Sequence, residues 1–269
     1  MNQRAKRAVA CLVVSAATRV AGAQNAAVMP VTEANVWARY DALLRAVVRG
    51  NGVDYARLRG RLGELQAIHG WLGEHGPTRT PRAYASSNAR KAYWLNAYNA
   101  TVLRGVAEAP ATMRNVLTYL PDGGFFRARR WRIDGREMTL DSVENREVRP
   151  VFRDARVHVA LNCAARSCPP LRAGAYTAAR IDAQLAAQAR SYVNAAGNVE
   201  IDAAAHTVRV TQIFEWFRED FAGAGGTVEW LRAFAGTPLR APLNAACGAG
   251  ASACAVTYRP YDWALNAAQ

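Results

Sequence analysis

The residues best suited to chemistry lie in the stretch 157–171, VHVALNCAARSCPPL, which carries one histidine and two cysteines. A neighbouring base or cation lowers the pKa of a thiol and makes it a better nucleophile. Pro169 and Pro170 remove two backbone donors and restrict φ, so Cys168 is expected on a stiff loop. We therefore expect Cys168 to be an activated nucleophile and His158 to be its base.

The element expected to position these groups is a strand over residues 157–162, where apolar and other residues alternate with a period of two. His158 and Asn162 share one face of this strand. Cys163 continues the opposite, apolar face, which is typical of a buried core thiol. Cys168 lies beyond the strand, so the loop can turn it back toward His158. The alternatives are a Cys163–Cys168 disulfide or two unpaired structural thiols.

A helix is predicted from Ser87 to about Val106, with Trp94 on its broad apolar face. Asn96 and Asn99 lie together at the edge of that face. Asparagine is a poor residue for a helix interior, so two on one edge indicate compensating hydrogen bonds. These amides either clamp neighbouring loops or orient a catalytic histidine or a substrate.

A second aromatic segment, IFEWFREDF at residues 213–221, reads mostly as core. Glu215, beside Trp216, is a candidate for the wall of a cleft. The candidate binding residues are Trp94, Asn96, Asn99, Asn162 and Glu215. Glu144 has the spacing of a capping box with Asp141, which would explain it structurally.

Several sequence blocks together resemble one known family, the domain of unknown function 547, found in bacteria and plants. The blocks are KAYWLNAYNATVL at 91–103, MTLDSVENREVRPVF at 138–152, VHVALNCAARSCPPL at 157–171, IFEWFREDF at 213–221 and YDWALN at 261–266. The resemblance spans roughly residues 85–266. It implies membership of the family but does not imply a particular reaction. It implies a role for Glu144 as the carboxylate that orients His158. The family often has Glu-His where this chain has Glu144-Asn145, so any role of that histidine is absent or altered here.

The fold class expected from these patterns is α+β: a mainly helical single domain with a small antiparallel sheet or hairpins around a central strand. Apolar spacing predicts helices over residues 32–49, 54–74 and 177–193, and turn signals predict hairpins near Asp134-Gly135 and over 198–211. We expect His69 and His75 to be solvated. The expected organisation is a signal peptide at 1–23, an N-terminal helical part at 24–84, and a family-like core with a C-terminal arm at 85–269.

The charge of the chain is +13, of which the predicted leader holds four basic residues, leaving 30 basic and 21 acidic residues and a charge of +9. Arginine supplies nearly all of it and is scattered, so we predict no nucleic-acid partner. The cluster at 127–132 is either a basic-aromatic patch or a hairpin with one solvated face. After leader removal no apolar run approaches the roughly 20 residues of a spanning helix.

The four cysteines beyond the leader do not have the tight paired spacing of a structural zinc site, so we predict no metal and no cofactor. Cys247 and Cys254 bracket a flexible Gly/Ala loop, and an exported protein meets an oxidising compartment. We therefore predict a disulfide between them.

Two classes of function remain open from the sequence. In the first, the protein is an exported cysteine-dependent hydrolase or acyl-transferase that acts on peptides or cell-wall amides. In the second, it is a non-catalytic binding or scaffold module whose Cys/His cluster is structural or redox-active. The substrate and the oligomeric state are not readable from these residues.

Export to the periplasm or beyond is the first testable expectation, because residues 1–23 combine a basic start, a short apolar run and an Ala-Gly-Ala ending. Protein recovered from the cell envelope should begin near Gln24 when its N-terminus is sequenced. A cytosolic product that retains Met1 would contradict it.

Overall fold

A computed structural model describes residues 30–248 and 254–268, so the predicted leader lies outside the described residues. Helices make up most of the regular structure. They are α1 Val36–Val47, α2 Tyr55–Gly60, α3 Leu62–Glu74, α4 Ser87–Glu108, α5 Gly124–Arg127, α6 Leu140–Ser142, α7 Arg149–Phe152, α8 Ile181–Asn194, α9 Ile213–Trp216, α10 Arg218–Ala222, α11 Thr227–Phe234 and α12 Thr237–Cys247. The mainly helical α+β class is confirmed.

The strands form three small sheets. They are β1 Val48–Arg49, β2 Gly52–Val53, β3 Trp131–Ile133, β4 Arg136–Met138, β5 Glu200–Asp202, β6 Thr207–Thr211 and β7 Ala255–Arg259. β1–β2, β3–β4 and β5–β6 pair antiparallel, and β7 adds to β6 in parallel. Both predicted hairpins are confirmed, and Asp134 and Gly135 form the β3–β4 turn with φ of 51° and 75°.

The central strand predicted over residues 157–162 is wrong. Ala155–Val159 is a 3₁₀ helix, and the side chain of Asp154 caps its start by accepting from the Arg156 amide. The alternating pattern misled because both faces of this segment are buried: Val157, His158 and Val159 are all within the core. A period of two indicates a strand only where one face meets solvent.

Helix α4 is the core element of the fold. Ser86 caps it by accepting from the Ala89 amide, and nearly every residue from Lys91 to Ala107 is buried. His69 on α3 is buried against α4 and binds Thr101 (3.1 Å) and Arg104 (2.9 Å). The expectation that His69 is solvated is therefore wrong, and His75 is half-buried and stacked on Trp71.

The last described residues form an extended arm. This arm crosses the loop that carries Cys163 and Cys168, which we call the cysteine loop. The amide of Asn266 donates to the Ala164 carbonyl (2.9 Å), and the Arg166 amide donates to the Ala264 carbonyl (2.8 Å). The arm then pairs with Val53 of β2, whose amide donates to the Asn266 carbonyl (2.9 Å). The arm thus ties the cysteine loop to the N-terminal helices.

Within residues 30–248 and 254–268, no helix has the length and apolar content that crossing a membrane requires. The predicted Cys247–Cys254 disulfide is present and joins the end of α12 to the start of β7. Cys247 is fully buried within a hydrophobic cluster that surrounds β6 and α11.

The disulfide should contribute to stability and not to the chemistry of the other two thiols. The pair closes a loop with a sequence separation of 7. Replacing both cysteines by alanine should therefore lower the free energy of unfolding by about 2 kcal/mol, because the unfolded chain gains loop entropy. Urea denaturation measures this, and unchanged alkylation of Cys163 serves as the control. An unaltered midpoint would contradict the prediction.

Candidate functional site

One pocket of about 120 Å³ lies where α4, α9, the cysteine loop and the C-terminal arm meet. Its wall contains His158, Cys163, Cys168 and Glu144. The structure therefore brings the three residues predicted as catalytic into one cavity, together with the second free thiol.

Two asparagine side chains hold the cysteine loop in place. The Asn99 amide group donates to the Ala160 carbonyl (3.0 Å) and accepts from the Asn162 amide (2.9 Å). Asn162 in turn donates to the Pro169 carbonyl (2.8 Å) and accepts from the Ala164 amide (3.0 Å). Each side chain both donates to and accepts from the backbone of this loop, so the two residues position the loop, and neither lines the pocket.

Asn96 clamps a different segment in the same way. Its side chain donates to the Tyr176 carbonyl and accepts from the Tyr176 amide, both at 2.9 Å. Trp94 is buried and packs edge-on against Tyr93 (5.0 Å between ring centroids). Glu215 accepts from Gln212 (3.4 Å). Of the five predicted binding residues, none belongs to the pocket wall.

The two free thiols differ in exposure and in hydrogen bonding. Cys163 is half-buried and Cys168 is buried. The Cys163 amide donates to Cys168 Sγ (2.9 Å), and Cys163 Sγ lies 3.2 Å from the Tyr261 hydroxyl. The surroundings of the two thiols therefore differ, and they favour Cys163 as the reactive thiol. The strand pattern had predicted Cys168 instead.

The pKa shifts of the thiols follow from these contacts. Burial alone would raise the pKa of Cys163, but hydrogen bonds from the Cys168 thiol, the Tyr261 hydroxyl and the Ala165 amide outweigh it and lower the pKa. Burial, followed by the neighbouring Cys163 sulfur, raises the pKa of Cys168 well above its usual value. Cys163 is thus the thiol that ionises first.

Backbone strain next to Cys163 helps to make this arrangement. Ala164 has a φ of 62°, in the left-handed region that a residue with a Cβ seldom adopts. This turn lets the Ala165 amide hydrogen-bond the Cys163 sulfur. The clamp from Asn162 to the Ala164 amide (3.0 Å) holds the turn. Strained residues of this kind concentrate at functional sites.

His158 is oriented by a carboxylate that the sequence analysis did not assign to the site. Its Nε2 lies 2.7 Å from Asp220 Oδ2, and its ring stacks on Phe217 at 3.9 Å. Arg149 donates to the same Asp220 oxygen (2.6 Å). Burial lowers the pKa of His158 to about 4 although the Asp220 contact opposes the shift.

A neutral His158 next to an ionised Asp220 donates from Nε2. Within the described chain, Nδ1 has no hydrogen-bond partner, and His158 lines the pocket. The lone pair of Nδ1 is therefore free to accept a proton from a group in the cavity. Asp220 lies in the IFEWFREDF block and Tyr261 in YDWALN, so family blocks were the only sequence signal for either.

Glu144 does not cap a helix, so its predicted capping-box role is wrong. The capping box consists of Thr139 and Ser142, and Glu144 lies in a π-helical turn, Val143–Val148. Such turns often occur at functional sites. Glu144 lines the pocket, and burial raises its pKa to about 7, opposed by Arg149 and Tyr98 and helped by nearby acidic groups.

Asn145 stands where the family often has histidine. Its side chain donates to Asp141 (3.1 Å) and accepts from Arg149 (2.6 Å). Arg149 continues this chain of polar contacts to Asp220. Asn145 therefore supports the carboxylate that holds His158 rather than entering the pocket itself.

The fold and the site together define a mainly helical α+β protein with paired thiols and a carboxylate-bound histidine in one pocket. The family model described as "Protein of unknown function, DUF547" matches residues 83–193, and this match supports the resemblance of the three sequence blocks that lie within those residues. The matched segment includes α4, Glu144, His158 and both pocket thiols. No curated protein and no solved structure matches the chain.

The two thiols should react at different rates with a small alkylating agent. Iodoacetamide at about neutral pH should modify Cys163 first, because its thiolate is stabilised and partly exposed, while Cys168 stays protonated and buried. Peptide mapping by mass spectrometry measures both sites in one sample. Preferential labelling of Cys168 would contradict the assignment.

Proposed function

We propose that the protein is an exported cysteine-dependent hydrolase or acyl-transferase that acts on peptide or cell-wall amides, with Cys163 as the nucleophile. One observation carries this proposal: the hydrogen-bonded Cys163 sulfur lines the same cavity as a histidine held by Asp220. A thiol, a base and a carboxylate that orients the base are the parts that nucleophilic acyl transfer needs.

In the proposed reaction the proton of Cys163 passes to His158 Nδ1, and the thiolate attacks the carbonyl carbon of the substrate. A sulfur–carbon bond forms, and the carbon–nitrogen bond breaks as the imidazolium returns the proton to the leaving amine. Water, or a second amine, then attacks the thioester while His158 accepts its proton. Cys163 leaves as the thiolate and takes the proton back from the His158 imidazolium, and the free acid or the new amide is released.

Three further groups support this sequence. Asp220 holds the imidazole by its Nε2 atom and stabilises the imidazolium that forms. The Tyr261 hydroxyl, 3.2 Å from Cys163 Sγ, stabilises negative charge on the sulfur. Glu144, with a pKa of about 7, is able to exchange protons near neutral pH.

Cys168 acts in this scheme as a positioning residue. Its sulfur accepts from the Cys163 amide (2.9 Å), and its thiol, which reaches the Leu161 carbonyl (3.6 Å), also interacts with the Cys163 sulfur and lowers the pKa of Cys163. It therefore fixes the position of Cys163 and helps to lower the pKa of its thiol. The original expectation that Cys168 itself attacks remains testable by the same variants.

Export of the protein to the periplasm or beyond is part of the proposal. The Cys247–Cys254 disulfide supports it, since structural disulfides persist in oxidising compartments. A peptide or cell-wall amide would be available there as a substrate.

A second candidate function is a reversible dithiol switch, because both thiols are free and Cys168 Sγ lies 2.9 Å from the Cys163 amide nitrogen. A mild disulfide oxidant would remove two electrons and two protons and join the sulfurs. Rapid, reductant-reversible formation of this bond would support the redox function, particularly if no acyl ester reacts with Cys163.

The acyl-transfer proposal predicts a covalent intermediate on Cys163. Incubation with an activated acetyl ester should add one acetyl group to Cys163 of the mature chain, and Cys163→Ala should abolish it. His158→Gln should slow acetylation by about a hundredfold, the size typical of a lost general base. Far-ultraviolet circular dichroism verifies that both variants fold.

Cys168→Ala is the matched control for the choice of nucleophile. It should remain acetylated at Cys163, more slowly, because one hydrogen bond to the thiolate is lost. Acetylation that persists in Cys163→Ala and disappears in Cys168→Ala would contradict the proposal and restore Cys168 as the attacking thiol.

A further inference from the structure

The pocket wall is built largely from aromatic rings. The aromatic residues in it are Tyr98, Phe126, Trp216, Phe217, Tyr261 and Trp263. Among the described residues that line the cavity, none is lysine or arginine. The chain has 34 such residues, so this cavity differs in charge from the rest of the protein.

Three of these rings pack against one another in the pocket wall. Trp216 lies 5.7 Å from Trp263, with 23° between the planes, and 4.8 Å from Tyr261. Tyr261 and Trp263 are 4.7 Å apart. Trp216 is 44% exposed, so this ring of the cluster can be reached from solvent.

Glu144 is the carboxylate of this wall. Arg149 acts on it, but that guanidinium is already bound to Asp220 (2.6 Å) and Asn145 (2.6 Å) and lies over the Phe217 ring (4.7 Å). Arg149 therefore remains outside the cavity wall, and Glu144 has no cation of its own inside. Aromatic faces and one carboxylate are the surroundings that bind an ammonium group.

We propose that this pocket binds a cationic amine against its aromatic rings and Glu144, and so selects substrates that carry an ammonium group beside the acyl group. The selection of substrates rests on the proposed acyl transfer at Cys163. The binding of the cation does not, because it depends only on the rings and the carboxylate. The cation would belong to a free amino group of a peptide or of cell-wall material.

Binding should depend on pH through the ionisation of Glu144. Burial raises the pKa of this carboxyl to about 7, with Asp141 and Asp220 acting in the same direction and Arg149 and Tyr98 against it. Below that pH the carboxyl is neutral, and above it the negative charge attracts the ammonium group. His158, with a pKa of about 4, stays neutral throughout this range.

The Cys163 thiolate would add negative charge in the same direction, so the test uses a Cys163→Ser background that cannot ionise there. Calorimetric titration of this full-length mature protein uses n-butylammonium, n-butanol and butyrate. These three ligands have the same number of carbon atoms and are positively charged, neutral and negatively charged, respectively. At about pH 8 butylammonium should bind at least tenfold more tightly than butanol, which is about the size of a desolvated cation–π contact. The preference should shrink at about pH 6.

Glu144→Gln in the same background should reduce that preference to within about threefold, since the rings remain and the charge is lost. Trp216→Ala should weaken butylammonium binding while the fold persists, because this ring is at the surface. Glu219→Gln is the matched control: Glu219 is exposed, lies outside the cavity wall and should leave binding unchanged.

Equal affinities for butylammonium and butanol, or an unaltered preference in Glu144→Gln, would overturn the cation site. Failure of the acyl-transfer proposal gives a different result, in which butylammonium binds but no ester acylates Cys163. In the protein with Cys163 intact, an amino-acyl ester should react faster than its uncharged counterpart. Equal rates would overturn the selection of substrates even if the cation binds.

Discussion

The two-way amide clamp between Asn99 and the cysteine loop is the interaction on which the site depends. Asn99 lies on the buried helix α4 and satisfies the Ala160 carbonyl and the Asn162 amide at once. Buried backbone groups need such partners because an unpaired one costs about 1–3 kcal/mol. In a regular strand or helix these backbone groups would pair with other backbone groups. Here the Asn99 clamp supplies the hydrogen bonds and fixes the loop.

Each pocket thiol obtains its properties from the other. The Cys163 amide donates to Cys168 Sγ, while the Cys168 thiol, Tyr261 and the Ala165 amide stabilise the Cys163 thiolate. The negative charge on Cys163 then raises the pKa of Cys168 further. Two chemically identical side chains thus become one thiol that ionises first and one that stays protonated. The C-terminal arm completes this arrangement because it supplies Tyr261.

Much of the fold was predictable because its signals are local. Asp134-Gly135 marks a turn on its own, and Ser86 is a standard helix cap. The strand over 157–162 was mispredicted because periodicity has no meaning where both faces are buried. His69 was misplaced for a related reason: whether a polar residue at a helix end meets solvent depends on the packing of α4, which local sequence does not contain.

The sequence predicted several of the residues that gather at the site, but it did not predict the role of each one. Cys163, Cys168 and His158 lie within a short stretch of sequence, so their spacing predicted that they would be close together. Asp220 and Tyr261 are distant along the chain and reach the pocket only through tertiary structure. The pKa order of the thiols depends on the Ala164 turn and on hydrogen bonds to the sulfur, and neither is encoded in residue spacing.

The most direct test of this account is the ultraviolet absorbance of the thiolate as a function of pH, measured on the mature protein and on Cys163→Ser and Cys168→Ser. The account predicts a thiolate that titrates below the ordinary thiol range of about 8.5, remains in Cys168→Ser and is absent from Cys163→Ser. An absorbance that remains in Cys163→Ser and disappears in Cys168→Ser would contradict it.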